Sequence, residues 1–113
     1  MPTANPFEVT PQDVENLRRS GEALALIDVR EPAEWAVARI EGAELIPMGS
    51  VPANLQKLEA AADEASLIVY CHHGVRSLQV VSWLRQQGIA CSYSLAGGID
   101  RWSREVDAAV PTY

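Results

Sequence analysis

Cysteine is scarce in this chain. Cys71 and Cys91 are the only two among 113 residues, too few for a disulfide framework and lacking the paired spacing of a zinc site. Each is read as a free thiol. Long apolar stretches are also missing: runs such as those at residues 24–27 and 67–70 fall far short of the roughly 20 residues a membrane span requires. No bilayer crossing is expected. The opening MPTANPFEVT has neither the basic start nor the apolar stretch of a secretory signal, so the expected location is the cytoplasm. Basic residues are outnumbered nine to fifteen, giving a formal net charge of −6. A field of that sign repels phosphate backbones and anionic headgroups, which argues against nucleic acid and membrane surfaces as partners while leaving room for a local basic pocket.

What is present is ordinary for a folded globule. Apolar residues make up 48% and charged residues 21%, and the length fits one domain, residues 1–113, with a single core. Residues 7–9 read as a short edge strand. Thr10, Pro11 and Asp13 then supply an N-cap, a proline for the first helical position and an acid for the first turn, and that helix should end near Gly21. Residues 24–29 form an almost unbroken apolar run ended by charge, as expected of a strand covered on both faces. Pro32 opens a short helix to residue 38, and residues 43–46 read as a strand stopped by Pro47. Ser50 is the expected cap of a helix whose Val51, Leu55, Leu58 and Ala62 share one face. Residues 66–70 are the strongest candidate for a central strand. Leu78, Val81 and Leu84 mark a helix that Gly88 ends. Cys91, Tyr93 and Leu95 alternate with Ser92 and Ser94 as in a strand, and Ile99, Trp102 and Val106 fit a last helix after Gly97 and Gly98.

Strands alternating with helices over short connections indicate an α/β fold, because parallel neighbours need crossovers. Ligands in such folds bind beyond the carboxyl ends of the strands. Two segments lie there: Asp28, Val29 and Arg30, and the run Cys71, His72, His73, Gly74, Val75, Arg76, Ser77.

The second segment carries the chemistry. A thiol at the end of a buried strand, followed by a glycine-containing loop and a helix, sits where backbone N–H groups and a helix N-terminus converge on one sulfur. The helix end and Arg76, with His72 or His73 as a further candidate, supply positive charge, so the anionic, nucleophilic form of Cys71 is expected to be favoured. Gly74 lets the loop bend back with positive φ, and Ser77 helps begin the helix. The bland alternative, a core-filling cysteine, leaves His72, His73, Gly74 and Arg76 without a purpose. A metal site is disfavoured: only Cys71 and His73 could converge from an extended chain, and no further Cys/His cluster completes a tetrahedron.

The ordered set Asp28-Val29-Arg30 with Glu34-Trp35, Ile40-Glu41-Gly42-Ala43 with Ile46-Pro47, Tyr70 to Ser77, and Ala96-Gly97-Gly98-Ile99 with Trp102 resembles the successive motifs of single-domain rhodaneses. The resemblance spans almost the whole chain. It implies a three-layer α/β domain with a central five-stranded, mostly parallel sheet flanked by helices. It also implies sulfurtransferase activity through a persulfide on Cys71, with no cofactor and no metal. Ala38 and Arg39 stand where many relatives carry glycine and histidine, a change expected to affect structure or surface more than chemistry. The positions of His72, His73 and Val75 vary in the family and are expected to tune donor or acceptor choice.

The implied reaction has two halves. Cys71 thiolate attacks the outer sulfur of a donor such as thiosulfate, sulfite leaves, and an acceptor thiol, or cyanide in an assay, removes the sulfur, giving ping-pong kinetics. Loop amides hold the persulfide, and Arg76 binds the sulfonate of the donor. His72, His73, Gly74, Val75 and Ser77 complete the expected substrate-binding set. Cysteine-based phosphatases and arsenate reductases place five residues between cysteine and arginine, whereas four stand here, so a smaller pocket and sulfur chemistry are preferred. Two further readings stay open: a sulfur carrier loaded by a persulfide donor and served by a partner protein, and a non-enzymatic protein-interaction module.

The remaining features read as structural. Asp28 is expected to hydrogen-bond the neighbouring loop, and Arg30 to pair with Glu34 four positions on. Trp35, Trp83 and Trp102 fill core or helix contacts. Cys91 is inert core on the face of Tyr93 and Leu95. Gly97 and Gly98 form a tight turn beside the reactive loop.

Overall fold

A computed structural model describes residues 5–113, so the first four residues of the opening decapeptide lie outside it. Five strands form one parallel sheet: β1 (Glu8–Val9), β2 (Leu24–Asp28), β3 (Glu44–Leu45), β4 (Ser66–Tyr70) and β5 (Ser92–Leu95), in the order β1-β5-β4-β2-β3. The apolar runs of the sequence occupy the middle. β4 is paired on both sides, to β2 and to β5, and Leu67, Ile68, Val69 and Tyr70 are all buried, as a strand covered on both faces requires.

The helices are α1 (Pro11–Arg19), α2 (Pro32–Val37), α3 (Leu55–Ala62), α4 (Val75–Gln86) and α5 (Gly98–Glu105). Two apolar clusters sandwich the sheet. On one face Leu67, Val69 and Cys71 pack against Leu58 of α3 and Val80, Val81 and Leu84 of α4. On the other, Ile68 and Tyr70 meet Val14 of α1 and Ile99 and Trp102 of α5. This alternation along β4 follows from the period-two geometry of a strand. It places Cys71 at the carboxyl end of the central strand, on the α4 side. The three-layer architecture expected from the sequence is the one observed.

Local signals set the helix starts. Thr10 accepts from the Asp13 amide while the Asp13 carboxylate accepts from the Thr10 amide, a reciprocal cap, with Pro11 at the first turn. Gly88, with φ of 96°, follows α4.

Three expectations are corrected. Ser50 does not cap a helix: residues 48–54 form two 3-10 turns, Met48–Ser50 and Pro52–Asn54, and α3 starts only at Leu55. Pro52 lacks an amide hydrogen, which breaks regular helical bonding through that stretch, although Val51 and Leu58 still point inward. Cys91 precedes β5 and packs with the α3/α4 cluster, whereas Tyr93 and Leu95 belong to the α1/α5 cluster. It therefore does not share their face, because strand alternation begins only at Ser92. Finally, Arg30 does not pair with the Glu34 carboxylate. It lies before the Glu31 N-cap, outside α2, so helical spacing does not apply, and its guanidinium reaches only the Glu34 carbonyl, at 3.4 Å.

The tryptophans behave mostly as expected. Trp102 is buried and Trp83 packs against the α3/α4 cluster, while Arg39 lies over Trp35 with its guanidinium carbon 4.9 Å from the ring centre. No helix among the described residues is long and apolar enough to cross a membrane.

Candidate active site

The chain leaves β4 at Tyr70, turns through residues 71–74 and enters α4 at Val75. Gly74 is the turning point, with φ of 103°, a left-handed conformation that penalises any Cβ. A Cβ there would also lie 3.2 Å from the Gly97 amide nitrogen. The bend folds the loop around the Cys71 sulfur, which accepts from the Gly74 amide at 3.1 Å and the Ser77 amide at 3.3 Å. Ser77 Oγ stands 3.4 Å from the same sulfur and 2.8 Å from Ser94 Oγ. The arrangement is a row of donors aimed at one buried atom: Cys71 is 1% exposed. The Ser77 amide belongs to the first turn of α4, whose N–H groups have no helical acceptor. Among the described residues, no backbone carbonyl takes the amides of Val75 and Arg76 either.

The other wall of the loop is the start of α5. The Ile99 amide donates to the Cys71 carbonyl at 2.9 Å, and the Asp100 amide to the His72 carbonyl at 3.1 Å. Those two donors reach the loop because Gly98 has no side chain: a Cβ on it would fall 2.4 Å from the His72 oxygen and 2.5 Å from the Cys71 oxygen. The double glycine therefore forms the expected turn beside the reactive loop. The loop carbonyls are tied to α5, and the loop amides are left to face the sulfur.

Arg76 stands where the loop meets α4, but Glu34 of α2 holds its guanidinium in two parallel hydrogen bonds of 2.7 and 3.0 Å. The expected contact with a donor sulfonate therefore falls to the donors of Arg76 that Glu34 leaves over, since a guanidinium has five N–H groups. The hydrogen bonds from Arg76 pull the Glu34 carboxyl down to about 2; burial opposes this shift and Tyr113 adds to it. Glu34 in turn raises the pKa of Arg76, to which the nearby Cys71 also contributes.

Beneath α2 lies a buried ion pair. Asp28 takes Arg30 Nη2 at 2.7 Å, Arg30 Nε at 3.0 Å and the Arg30 amide at 2.9 Å, and both residues are 0% exposed. Arg30 Nη2 also donates to the Ala38 carbonyl. Burial works against the Arg30 charge, but the hydrogen bonds to Asp28 and Tyr113 outweigh it and raise its pKa. Asp28 thus bonds the neighbouring loop, as expected, through Arg30.

The His72 and His73 rings lie against one another with centres 3.9 Å apart and planes tilted by 31°. His73 is exposed, with Nδ1 4.0 Å from Asp100. Burial, reinforced by His73, lowers the His72 pKa below its ordinary 6.5, while Asp100 pulls the other way. The shift disfavours the charged form of His72, and with it a cation at this point of the loop. Its Nε2 is the buried side-chain nitrogen that lacks a hydrogen-bond partner among the described residues. Val75 is 69% exposed on the rim. Among the described residues, no three His, Cys, Asp or Glu side chains come together as a metal-binding group.

Sequence reasoning missed three members of this neighbourhood. Ser94 was read simply as the polar alternate of a strand, yet it is buried behind Ser77. Glu34 belonged to the Glu34-Trp35 motif without being assigned to Arg76, a contact 42 positions away along the chain. Tyr113 drew no attention, having no motif around it.

A family model described as Rhodanese-like domain matches residues 10–105. Thiosulfate sulfurtransferase GlpE of Pseudomonas aeruginosa strain PAO1 is 37% identical over 95 residues, covering 83% of this chain and 81% of that protein. The probable adenylyltransferase/sulfurtransferase MoeZ of Mycobacterium tuberculosis is 32% identical over 105 residues, 93% of this chain but only 26% of the relative's length. Human single-domain sulfurtransferase TSTD1 superposes with a TM-score of 0.76 at 27% identity, covering 89% of this chain and 98% of that one. With a five-stranded parallel sheet, a cysteine loop between β4 and α4, and a family match across nearly its whole length, the chain belongs to the rhodanese-like domain family.

Proposed function

We propose that the chain is a sulfurtransferase that carries the transferred sulfur on Cys71. The observation that carries this reading is the pair of amides, Gly74 and Ser77, bonded to a sulfur at the foot of α4. Such a setting favours an anionic sulfur. The sulfurtransferase relatives support the reaction class.

In the first half-reaction the Cys71 thiolate attacks the outer sulfur of thiosulfate. The sulfur–sulfur bond of the donor breaks, sulfite leaves with that electron pair, and Cys71 becomes a persulfide. In the second, an acceptor thiol or cyanide attacks the outer sulfur of the persulfide and the Cys71 thiolate returns. Each half is a displacement at sulfur that needs no cofactor or metal. Amides at the helix start hold the charge of the persulfide's terminal sulfur, and the spare donors of Arg76 take the sulfonate oxygens. His72, His73, Gly74, Val75 and Ser77 line the approach. A persulfide donor, free or on a partner protein, enters the same cycle without sulfite release. The location proposed for the protein is the cytoplasm, and neither nucleic acid nor membrane is among its proposed partners.

The four-residue spacing between Cys71 and Arg76 favours sulfur over a tetrahedral phosphate. Incubation with thiosulfate followed by desalting and intact-mass measurement tests the assignment. The expected result is a gain of one sulfur atom on the wild type and on Cys91→Ser, absent from Cys71→Ala. No gain from thiosulfate or from an alkyl persulfide would favour the protein-interaction module, and hydrolysis of an aryl phosphate would favour a phosphatase.

A further inference from the structure

Tyr113 lies against the reactive loop at His72 and bonds Glu34, the partner of Arg76. Its ring stacks on His72, with centres 3.9 Å apart and planes 7° from parallel. Its hydroxyl donates to Glu34 Oε2 at 2.7 Å, on the carboxylate that holds Arg76. The same hydroxyl accepts from Arg30 Nη1 at 2.7 Å, and Arg30 is fixed in the core by Asp28. One side chain thus links a buried anchor to two residues of the loop that follows Cys71, to His72 directly and to Arg76 through Glu34.

These contacts do little for packing. Tyr113 is 42% exposed, and Val110 is the member of its segment buried in the α1/α5 cluster. The Val110 carbonyl also accepts from Ser103 Oγ in α5. The segment is therefore held by Val110 and by the hydrogen bond between the residue 113 main chain and His72, and the Tyr113 side chain is spent on groups beside the loop. Burial keeps its hydroxyl protonated, with its pKa pushed up to about 12, so it remains a donor to Glu34.

We propose that Tyr113 is a positioning residue for the sulfur-donor half-reaction, fixing Arg76 through Glu34 with its hydroxyl and covering His72 with its ring. This rests on the sulfurtransferase reading and adds to it a residue outside the cysteine loop and its motifs. The two roles separate by substitution. Tyr113→Phe keeps the ring and loses the hydroxyl link; Tyr113→Ala loses both.

Ping-pong kinetics give kcat/KM for donor and acceptor independently. Both variants are expected to lower kcat/KM for thiosulfate by about three- to tenfold, the net contribution of one typical hydrogen bond, and to leave kcat/KM for cyanide unchanged. A residue that merely stabilises the fold would lower the two together. An NMR titration of the His72 imidazole supplies a readout free of activity. Its pKa is expected to rise toward the ordinary value in Tyr113→Ala, where cover is lost, and to stay in place in Tyr113→Phe, with His73, Asp100, Glu34 and the hydrogen bond to the residue 113 main chain retained around the ring in both. Equal loss in both half-reactions, no loss in either, or a Tyr113→Phe protein that does not fold would overturn the proposal. If the wild type takes up no sulfur from thiosulfate, the underlying reading fails instead, and the His72 titration alone still reports on the stack.

Discussion

Glu34 and Arg76, from different helices, meet in a bidentate ion pair at 2.7 and 3.0 Å. The pair pins the cysteine loop's arginine to α2 and fixes the plane of its guanidinium. It also lowers the net positive charge beside the cysteine loop, so in the proposed reaction an anionic donor would be held by directed N–H groups more than by bulk attraction.

That geometry makes stability depend on acidity in a definite direction. The Glu34 carboxyl titrates at about 2 in the folded chain against an ordinary 4.5. A carboxyl whose pKa is depressed by folding contributes stability that is complete above its unfolded value and is lost as pH falls through the folded one. Glu34→Gln is therefore expected to be less stable than the wild type above pH 4.5, with the difference shrinking between pH 4.5 and 2. Urea melts across that range check it; a difference that does not vary with pH would contradict it.

Gly98 is expected to tolerate no side chain. A Cβ would lie 2.4 and 2.5 Å from two loop carbonyl oxygens, at a φ of 61°. Gly98→Ala should cost about 3 kcal/mol or more, combining left-handed strain with a clash against backbone. Thermal melts measure the loss. Gly49→Ala, at a position with open space, is the control and should move the midpoint little.

Ser77 joins Cys71 to Ser94 in a chain of polar groups, at 3.4 and 2.8 Å. With the sulfur anionic, Ser77 donates to it and accepts from Ser94. Ser77→Ala removes a donor to the sulfur and should lower the rate of sulfur uptake by about tenfold, as for one net hydrogen bond. Ser94→Ala acts one step further away and should cost less. Stopped-flow measurement of sulfite release orders the two, and a larger effect at Ser94 would contradict the arrangement.

Asp28→Asn should be among the most damaging substitutions in the chain. It leaves the fully buried Arg30 guanidinium without its counter-charge, a change that typically costs about 3–5 kcal/mol. Chemical denaturation reads this directly. A loss below about 1 kcal/mol would mean that Tyr113 and the Ala38 carbonyl suffice for Arg30.

Much of this was legible in the sequence because it is local. The Thr10 to Asp13 cap, the buried run of β4 and the glycine-bearing turn after Cys71 are each written within a few consecutive residues. Period-two and helical patterns then place Leu67, Val69 and Val81 on the same side of the sheet. What escaped depends on approach between distant segments. The spacing of Arg30 and Glu34 suggested a helical pair, but Arg30 lies outside α2 and each partner found a better one elsewhere, Asp28 and Arg76. Ser94 shows in the sequence only as the polar alternate of a strand, but both faces of a parallel sheet are covered, so it is buried as well. Tyr113 carries no periodic or motif signal, so only the path of the chain after α5 reveals its place beside His72.

The central claim is that one sulfur, on Cys71, is gained and given up. Protein loaded with thiosulfate and freed of excess donor should yield one thiocyanate per chain on addition of cyanide. Cys91→Ser should do the same and Cys71→Ser should yield none. Thiocyanate from Cys71→Ser in wild-type amount would contradict the account.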